Sequence, residues 1–440
     1  MLSVKSKILV LAACLLETLW LLAAQVLNNL YVLVPCLVCF LALTAWSAVK
    51  SMALPVLLFF LPFSALLKIQ PGMNSFYTIA LLLVFLIYIV MGSKKINVYH
   101  LIPALVLISL LLVVKTVFGF PFRYDFIMFA SSLLMAPFLC REMDDKKYDF
   151  YWLTVAFSLG IVLAALTARY FIVFPTIARY VRKLSLFGVV RYAGYYGDPN
   201  FYSSHIATAL SGVMVLLLHN PKKGRSVALV LLMMVLLYCG FLSVSKSFLL
   251  IVLFLVLFWG VAFMFKRGKL TMKVTIVLSL IVGAVFLLSF TAFSDLVDMM
   301  VQRVTSGKTL DDFTTGRTEL WNQYIRALGE DPKLLLFGMG YTNIMINDRG
   351  SHNTLLQMVY QMGIIGSVIL FAWIICYVRT LMAEARPRWG SLVQVCIILI
   401  GSIGPWMALD FLFFDEFFLI PIFVCFALRF LSESKDIQSA

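Results

Sequence analysis

The chain has 440 residues, of which 62% are hydrophobic and only 13% charged. Ordinary soluble domains run at roughly 45–50% apolar and about 25% charged, so this chain lacks the polar surface that a water-soluble globule needs. Its formal charge of +14 reads first as cations on the cytoplasmic face of a bilayer rather than as a nucleic-acid footprint.

A helix needs about 20 apolar residues to cross the hydrocarbon core. Fourteen segments qualify as candidate spans, in a range of 12–14: 8–26, 30–48, 52–67, 75–91, 100–118, 124–139, 151–173, 201–219, 226–243, 247–265, 274–293, 354–378, 391–409 and 411–431. The first follows Lys5 and Lys7 as a signal sequence would, but the chain re-enters the bilayer at once, which reads as an uncleaved anchor. The third is short and carries Pro55 and Pro62, so it reads as broken or re-entrant. The expected architecture is a single all-α, polytopic membrane bundle over 1–440.

Fourteen spans place both termini on one side. The segments on that side hold 20 of the 35 basic residues and seven of the 21 acids, a balance of +13 that leaves +1 for everything else. By the positive-inside rule that side is cytoplasmic. The cations also differ in kind: 13 Lys and 7 Arg on that side, 6 Lys and 9 Arg elsewhere.

Two outward segments are longer than turns, 176–200 and 294–353, and long polar loops in a compact bundle are usually functional. Within the second, residues 317–328 set Leu320, Trp321, Tyr324, Ile325 and Leu328 on one helical face. Gly329 is the expected stop, with Pro332 beyond.

Several chemistries lack their signatures. All eight cysteines lie in or beside predicted spans, so the long loops hold no disulfide framework, and Cys36-x-x-Cys39 inside a span reads as packing. The four histidines (His100, His205, His219 and His352) show no metal-ligand spacing. Gly338-x-Gly340 has no third glycine for a dinucleotide, and Asp198, Ser203, Ser204 and His205 lack the nucleophile elbow of a hydrolase. The first outward turn, 27–30, contains no carboxylate, and Asp311-Asp312 reads as a solvated surface, so no metal or cofactor is expected.

The arginines of the long outer loops are Arg179, Arg182, Arg191, Arg303, Arg317, Arg326 and Arg349. A guanidinium binds phosphate oxygens through a planar fork and stays charged near neutral pH. Acids share these loops, and several of the arginines are expected to form structural ion pairs. Three positions stand out. Arg191 precedes Gly197-Asp198-Pro199-Asn200 at the mouth of the eighth span. Arg317 opens the amphipathic helix, where backbone amides favour anions. His352 lies in Ser351-His352-Asn353 just before the twelfth span, placed to accept a proton from a hydroxyl.

Thr315-Gly316-Arg317-Thr318-x-x-Trp321, then Phe337-Gly338-x-Gly340, then Ser351-His352-Asn353-x-x-Leu356-Gln357, then Gly363-Ile364-Ile365-Gly366 resembles the O-antigen ligase and polymerase family. The earlier Arg191-Tyr192-x-Gly194-x-x-Gly197-Asp198-Pro199-Asn200-Phe201 resembles the segment before a central span in the same proteins, closest to capsular and exopolysaccharide polymerases. These motifs cover roughly 185–370. The resemblance implies a glycosyltransferase-C-like membrane enzyme at the outer face of the cytoplasmic membrane, metal-independent, inverting, and using an undecaprenyl diphosphate-linked oligosaccharide as donor. It maps the catalytic residues to His352, Arg317 and Arg191. Substrate-binding positions are Arg182, Tyr195, Tyr196, Asp198, Asn200, Trp321, Gly338, Gly340 and Asn353, although Asp198-Pro199-Asn200 is equally a turn that starts the next helix. Membrane lipid and a chain-length regulator protein are candidate partners; nucleic acid is not.

A polymerase would use a second lipid-linked repeat unit as acceptor, a ligase lipid A-core or protein. The first motif favours the polymerase by analogy. A lipid-linked oligosaccharide flippase or other transporter is a further alternative, disfavoured because few charges, among them Glu17, Lys115, Arg169 and Asp125, lie within the spans and because the late sixty-residue loop has no early counterpart.

Overall fold

The computed structural model describes residues 4–71, 73–91, 101–139, 150–181, 183–186, 189–219, 223–265, 298–299, 301–302, 305, 316–382 and 389–433. Its helices are α1 (Val4–Leu27), α2 (Leu30–Val49), α3 (Ala53–Phe60), α4 (Phe76–Val90), α5 (Leu101–Phe118), α6 (Tyr124–Leu139), α7 (Phe150–Tyr170), α8 (Pro175–Ala178), α9 (Pro199–Leu218), α10 (Lys223–Phe241) and α11 (Lys246–Phe265). They continue with α12 (Arg317–Glu330), α13 (Pro332–Phe337), α14 (Thr354–Met382), α15 (Trp389–Ser402) and α16 (Glu416–Glu433). Eight described helices are long and apolar enough to cross a membrane, and four shorter apolar helices, including Ala53–Phe63 and Leu392–Ser402, accompany them. The expected span 274–293 lies outside the described residues, as do Arg182, Arg303, Asp311, Asp312, His100 and Cys140.

The expected third span is a short helix that ends in a 3-10 turn at Leu61–Phe63, where Pro62 withholds an amide from the α ladder. The last two spans differ more from expectation. Instead of a tight turn between 391–409 and 411–431, α15 stops at Ser402, a 3-10 turn spans Gly404–Met407, and α16 starts only at Glu416. Gly404 and Pro405 break the apolar run, and thirteen residues of irregular chain (403–415) fold over the end of the bundle. One antiparallel hairpin joins the helices: β1 (Lys183–Leu186) pairs with β2 (Val189–Tyr192) in the register Leu184 to Arg191 and Ser185 to Val190. An all-α reading leaves no place for it.

Helix α9 runs through the middle of the bundle, with nearly every residue buried. Lipid gives no hydrophobic drive for helices to associate, so close backbone approach and dispersion must hold them. Small residues on α9 provide the approach: Gly401 of α15 abuts Ser211 and Ala207, and Gly212 faces Thr154 of α7 and Phe423 of α16. By contrast α10 and α11 turn many large side chains outward, among them Leu231, Leu253 and Leu257.

A break in α14 governs the loop before it. Gly363 has φ 67° and ψ 176°, a region that only glycine occupies without strain. The helix stops and restarts there, releasing the carbonyls of Tyr360 and Gln361. These accept from Met339 N (3.1 Å) and Tyr341 N (2.9 Å). The loop closes so tightly that a Cβ on Gly363 would overlap the Leu336 carbonyl, and one on Gly338 would overlap the Gly363 and Met362 amides. The glycines of the two motifs are therefore one backbone clamp.

Candidate functional site at the loop end of the bundle

The site is assembled from the starts of α9, α12 and α14, with the irregular segment 403–415 behind them. Helix α12 is amphipathic as expected. Leu320, Tyr324 and Leu328, spaced by four, are buried against Tyr360 of α14. Ile325 is 58% exposed, because one residue beyond Tyr324 lies about 100° round the helix. Gly329 does not end the helix. The chain turns at Asp331, whose carboxylate accepts from Lys333 N at 2.9 Å, and Pro332 occupies the first position of α13. At the other end Gly316, with φ 78°, makes no side-chain capping bond, and α12 begins at Arg317.

His352 sits in a rigid turn. Its φ of 51° is left-handed, a region that His occupies uncommonly and that costs of order 1–3 kcal/mol unless the surroundings enforce it. Here they do. Trp321 donates its indole N–H to the Ser351 carbonyl at 2.9 Å, Ser351 N donates to Gln357 Oε1 at 3.0 Å, and Ser351 Oγ donates to the Asn353 carbonyl at 2.8 Å. Asn353 Oδ1 then caps α14 by accepting from Leu355 N and Leu356 N. Trp321 and Asn353 are thus accounted for as supports of the histidine.

Asp198 plays the corresponding part at α9. Its carboxylate accepts from Asn200 N at 2.6 Å as the N-cap, with Pro199 in the first turn. Although 119 residues apart in sequence, Asp198 and Arg317 are electrostatically coupled, and both are coupled to His352. Burial holds the His352 imidazole below its ordinary pKa, Arg317 pushes it lower still, Asp198 opposes the shift, and Arg349 adds to it. The ring is therefore a neutral base at pH 7. Burial also lowers the Arg317 pKa, against the support of Asp198.

The remaining expected residues divide. Arg191 is 3% exposed, with Nε donating to the Ser243 carbonyl (3.2 Å) and Nη2 to Asn200 Oδ1 (3.0 Å). Ser245 Oγ donates to the same Asn200 oxygen at 2.8 Å. Arg191 and Asn200 thereby brace the start of α9 against the α10–α11 turn. Tyr195 is buried, its hydroxyl 3.1 Å from Thr167 Oγ1, and Tyr196 lies flat on the His205 ring with centroids 4.4 Å apart. Gly340 brings its backbone against Lys115, where a Cβ would stand 2.9 Å from Cγ. Gly338 and Gly340 therefore position the loop by packing. The hydrolase set stays apart in its bonding: Ser203 and Ser204 donate to backbone carbonyls of their own helix.

Asp410 went unnoticed in the sequence. Buried in the 403–415 segment, it accepts from Leu412 N at 3.1 Å. A Cβ on Gly350 would stand 3.2 Å from its other oxygen, so the carboxyl backs directly on the 349–352 turn. Burial pushes its pKa up to about 7. Thr354 ties the same segment to α14, donating to the Leu409 carbonyl (2.7 Å) and accepting from Phe411 N (3.1 Å). An acid in an otherwise apolar run is the signal that marks it. Among the described residues no group of His, Cys, Asp and Glu is arranged to hold a metal ion.

Fold and site together define a multi-pass, predominantly helical membrane protein whose inter-helix loops bring an arginine, a histidine and an aspartate to one end of the bundle. Residues 231–371 match the family model described as O-antigen ligase, and this supports assignment of the chain to the O-antigen ligase and polymerase family. The matched interval contains Arg317, His352 and the Gly338–Gly363 clamp, while Arg191, Asp198 and Asp410 lie outside it. No curated protein matches the chain. The family points to a membrane glycosyltransferase-like enzyme.

Proposed function

We propose that the protein polymerises glycan repeat units at the outer face of the cytoplasmic membrane, both termini being cytoplasmic. The glycan moves from a polyprenyl diphosphate, of the undecaprenyl type, to a sugar hydroxyl of a second lipid-linked unit. The observation that carries this reading is the grouping of Arg317, His352 and Asp198 at the starts of three helices. The acceptor oxygen attacks the anomeric carbon from the face opposite the diphosphate, so the centre inverts. As that bond forms, the carbon–phosphate oxygen bond breaks and its electron pair stays on the diphosphate. Arg317, at the N-terminus of α12, stabilises the negative charge that develops there. Neutral His352 takes the hydroxyl proton, and Asp198 supports the imidazolium that results. Arg191 acts through Asn200 by fixing the turn that presents Asp198.

His352→Ala and Arg317→Ala are expected to abolish polymer while the protein still accumulates in the membrane; normal polymer from both would refute the assignment. Purified protein given only a lipid-linked repeat unit should yield a ladder on a gel, unaffected by chelator. Product formed only when a separate lipid or protein acceptor is added would make the enzyme a ligase, and loss of activity with EDTA reversed by a divalent ion would overturn the metal-free mechanism.

A further inference from the structure

A buried pair of ionisable groups lies about two helical turns below the site. His205 of α9 is 1% exposed, and its Nε2 lies 3.1 Å from Glu416 Oε1 at the start of α16. Its Nδ1 lies 2.9 Å from the Phe201 carbonyl. A carbonyl only accepts, so Nδ1 is the donating nitrogen and Nε2 is the one that faces the carboxyl group. The ring faces are also occupied, by Tyr196 stacked at 4.4 Å and by the edge of Phe157 at 6.2 Å. Such a pair within an apolar bundle is costly and needs a reason.

Its surroundings supply one. Tyr196 belongs to the turn 193–198, where Gly194 and Gly197 both have positive φ and leave the backbone little intrinsic preference. The stacked ring anchors that turn on the pair, beside Tyr195, which anchors it on Thr167; the turn ends at Asp198. On the other side, Glu416 terminates the segment 403–415. Through Thr354 and Asn353 Nδ2 (3.5 Å from the Met407 carbonyl), that segment holds the turn carrying His352. Asp415 anchors the segment to α4, accepting from Thr78 Oγ1 at 3.0 Å.

We propose that the His205–Glu416 pair is a positioning device that ties the Asp198 turn, through Tyr196, to the segment supporting His352. The pair holds aspartate and histidine in register when substrate occupies the space between them. The assignment rests on the glycosyl-transfer reading above. The groups facing His352 are Arg317, Arg349 and Asp198, and Asp198 alone among them favours its protonated form. Those facing the pair are Tyr77, Tyr196 and Asp415, each coupled to Glu416.

The test follows the modification of His352 by diethyl pyrocarbonate across pH, read by peptide mass spectrometry on the purified full chain, beside turnover kinetics. Asp198→Asn should move the His352 midpoint to lower pH. Glu416→Ala should move it the same way and lower kcat by about tenfold or more, with little change in KM, as misplacement of a reacting group does. Glu416→Gln, which keeps a hydrogen-bonding head on His205, should recover most of the turnover. Tyr196→Leu leaves the buried pair intact and should reproduce the Glu416→Ala shift, so it carries the test if the latter fails to accumulate. An unmoved midpoint and normal kcat in these variants, with Asp198→Asn still shifting His352, would overturn the proposal alone. Full activity of His352→Ala would instead refute the underlying mechanism, whatever the midpoints show.

Discussion

Replacing Gly363 by alanine perturbs the site from a distance through the backbone alone. Gly363 lies in a φ/ψ region that other residues reach only at a cost of about 1–3 kcal/mol. Its added Cβ would also overlap the Leu336 carbonyl, and that overlap is relieved only by moving the 336–341 segment off α14. The movement breaks the bonds from Met339 N to the Tyr360 carbonyl and from Tyr341 N to the Gln361 carbonyl, each contributing a net of about 0.5–1.5 kcal/mol. Together the loss is about 2–6 kcal/mol. Denaturation of the purified protein in mixed micelles measures it, with Gly260→Ala as the control, because nothing lies within 4 Å of a Cβ there. The same variant should lose glycosyl transfer per folded molecule, because the clamp positions the loop that continues to His352. A Gly363→Ala protein within about 0.5 kcal/mol of wild type, the range of a neutral surface change, would refute the clamp.

Trp321→Phe removes one hydrogen bond to the Ser351 carbonyl while keeping the packed ring; turnover should fall about threefold to tenfold, corresponding to about 0.5–1.5 kcal/mol, and unchanged kinetics would remove Trp321 from the support of His352. The acid limb of kcat/KM should lie below the ordinary imidazole value of about 6.5, because burial and Arg317 depress the His352 pKa and only the neutral ring accepts a proton; a midpoint at or above that value would contradict the geometry. Asp410→Asn keeps an acceptor for Leu412 N and removes the charge. Since burial raises the Asp410 pKa to about 7, the folded wild type retains a proton that the unfolded chain releases, and its stability relative to the variant should decline as pH rises from the ordinary carboxylate range towards 7. Parallel pH–stability curves for the two proteins would show that the carboxyl is not buried as described.

Apolar run length and lysine–arginine placement were enough to read this chain as a multi-pass helical membrane protein, because the bilayer permits so few solutions. The starts of α9, α12 and α14 were legible for local reasons: the turn Asp198-Pro199-Asn200, the apolar spacing that begins after Arg317 and the apolar run that begins at Thr354 each act over a turn or two. Other features depended on contacts between distant segments. Gly338 and Gly340 read as a ligand loop, yet they are small because the backbone of α14 and the stem of Lys115 press against them. Arg191 read as a phosphate ligand, and the α10–α11 turn occupies its Nε while Asn200 occupies Nη2. The segment 403–415 read as the edges of two spans, because hydropathy does not register that Gly404-Pro405 interrupts the helix and lets Asp410 fold back behind His352. The sequence by itself determined the bilayer solution, the helix starts and the residue types able to handle a diphosphate and a proton. Only the tertiary structure decided which of them come under one another's influence, because a helix cap is fixed by its own four residues, whereas the electrostatic coupling of Asp198 with Arg317 and His352 depends on how whole helices pack.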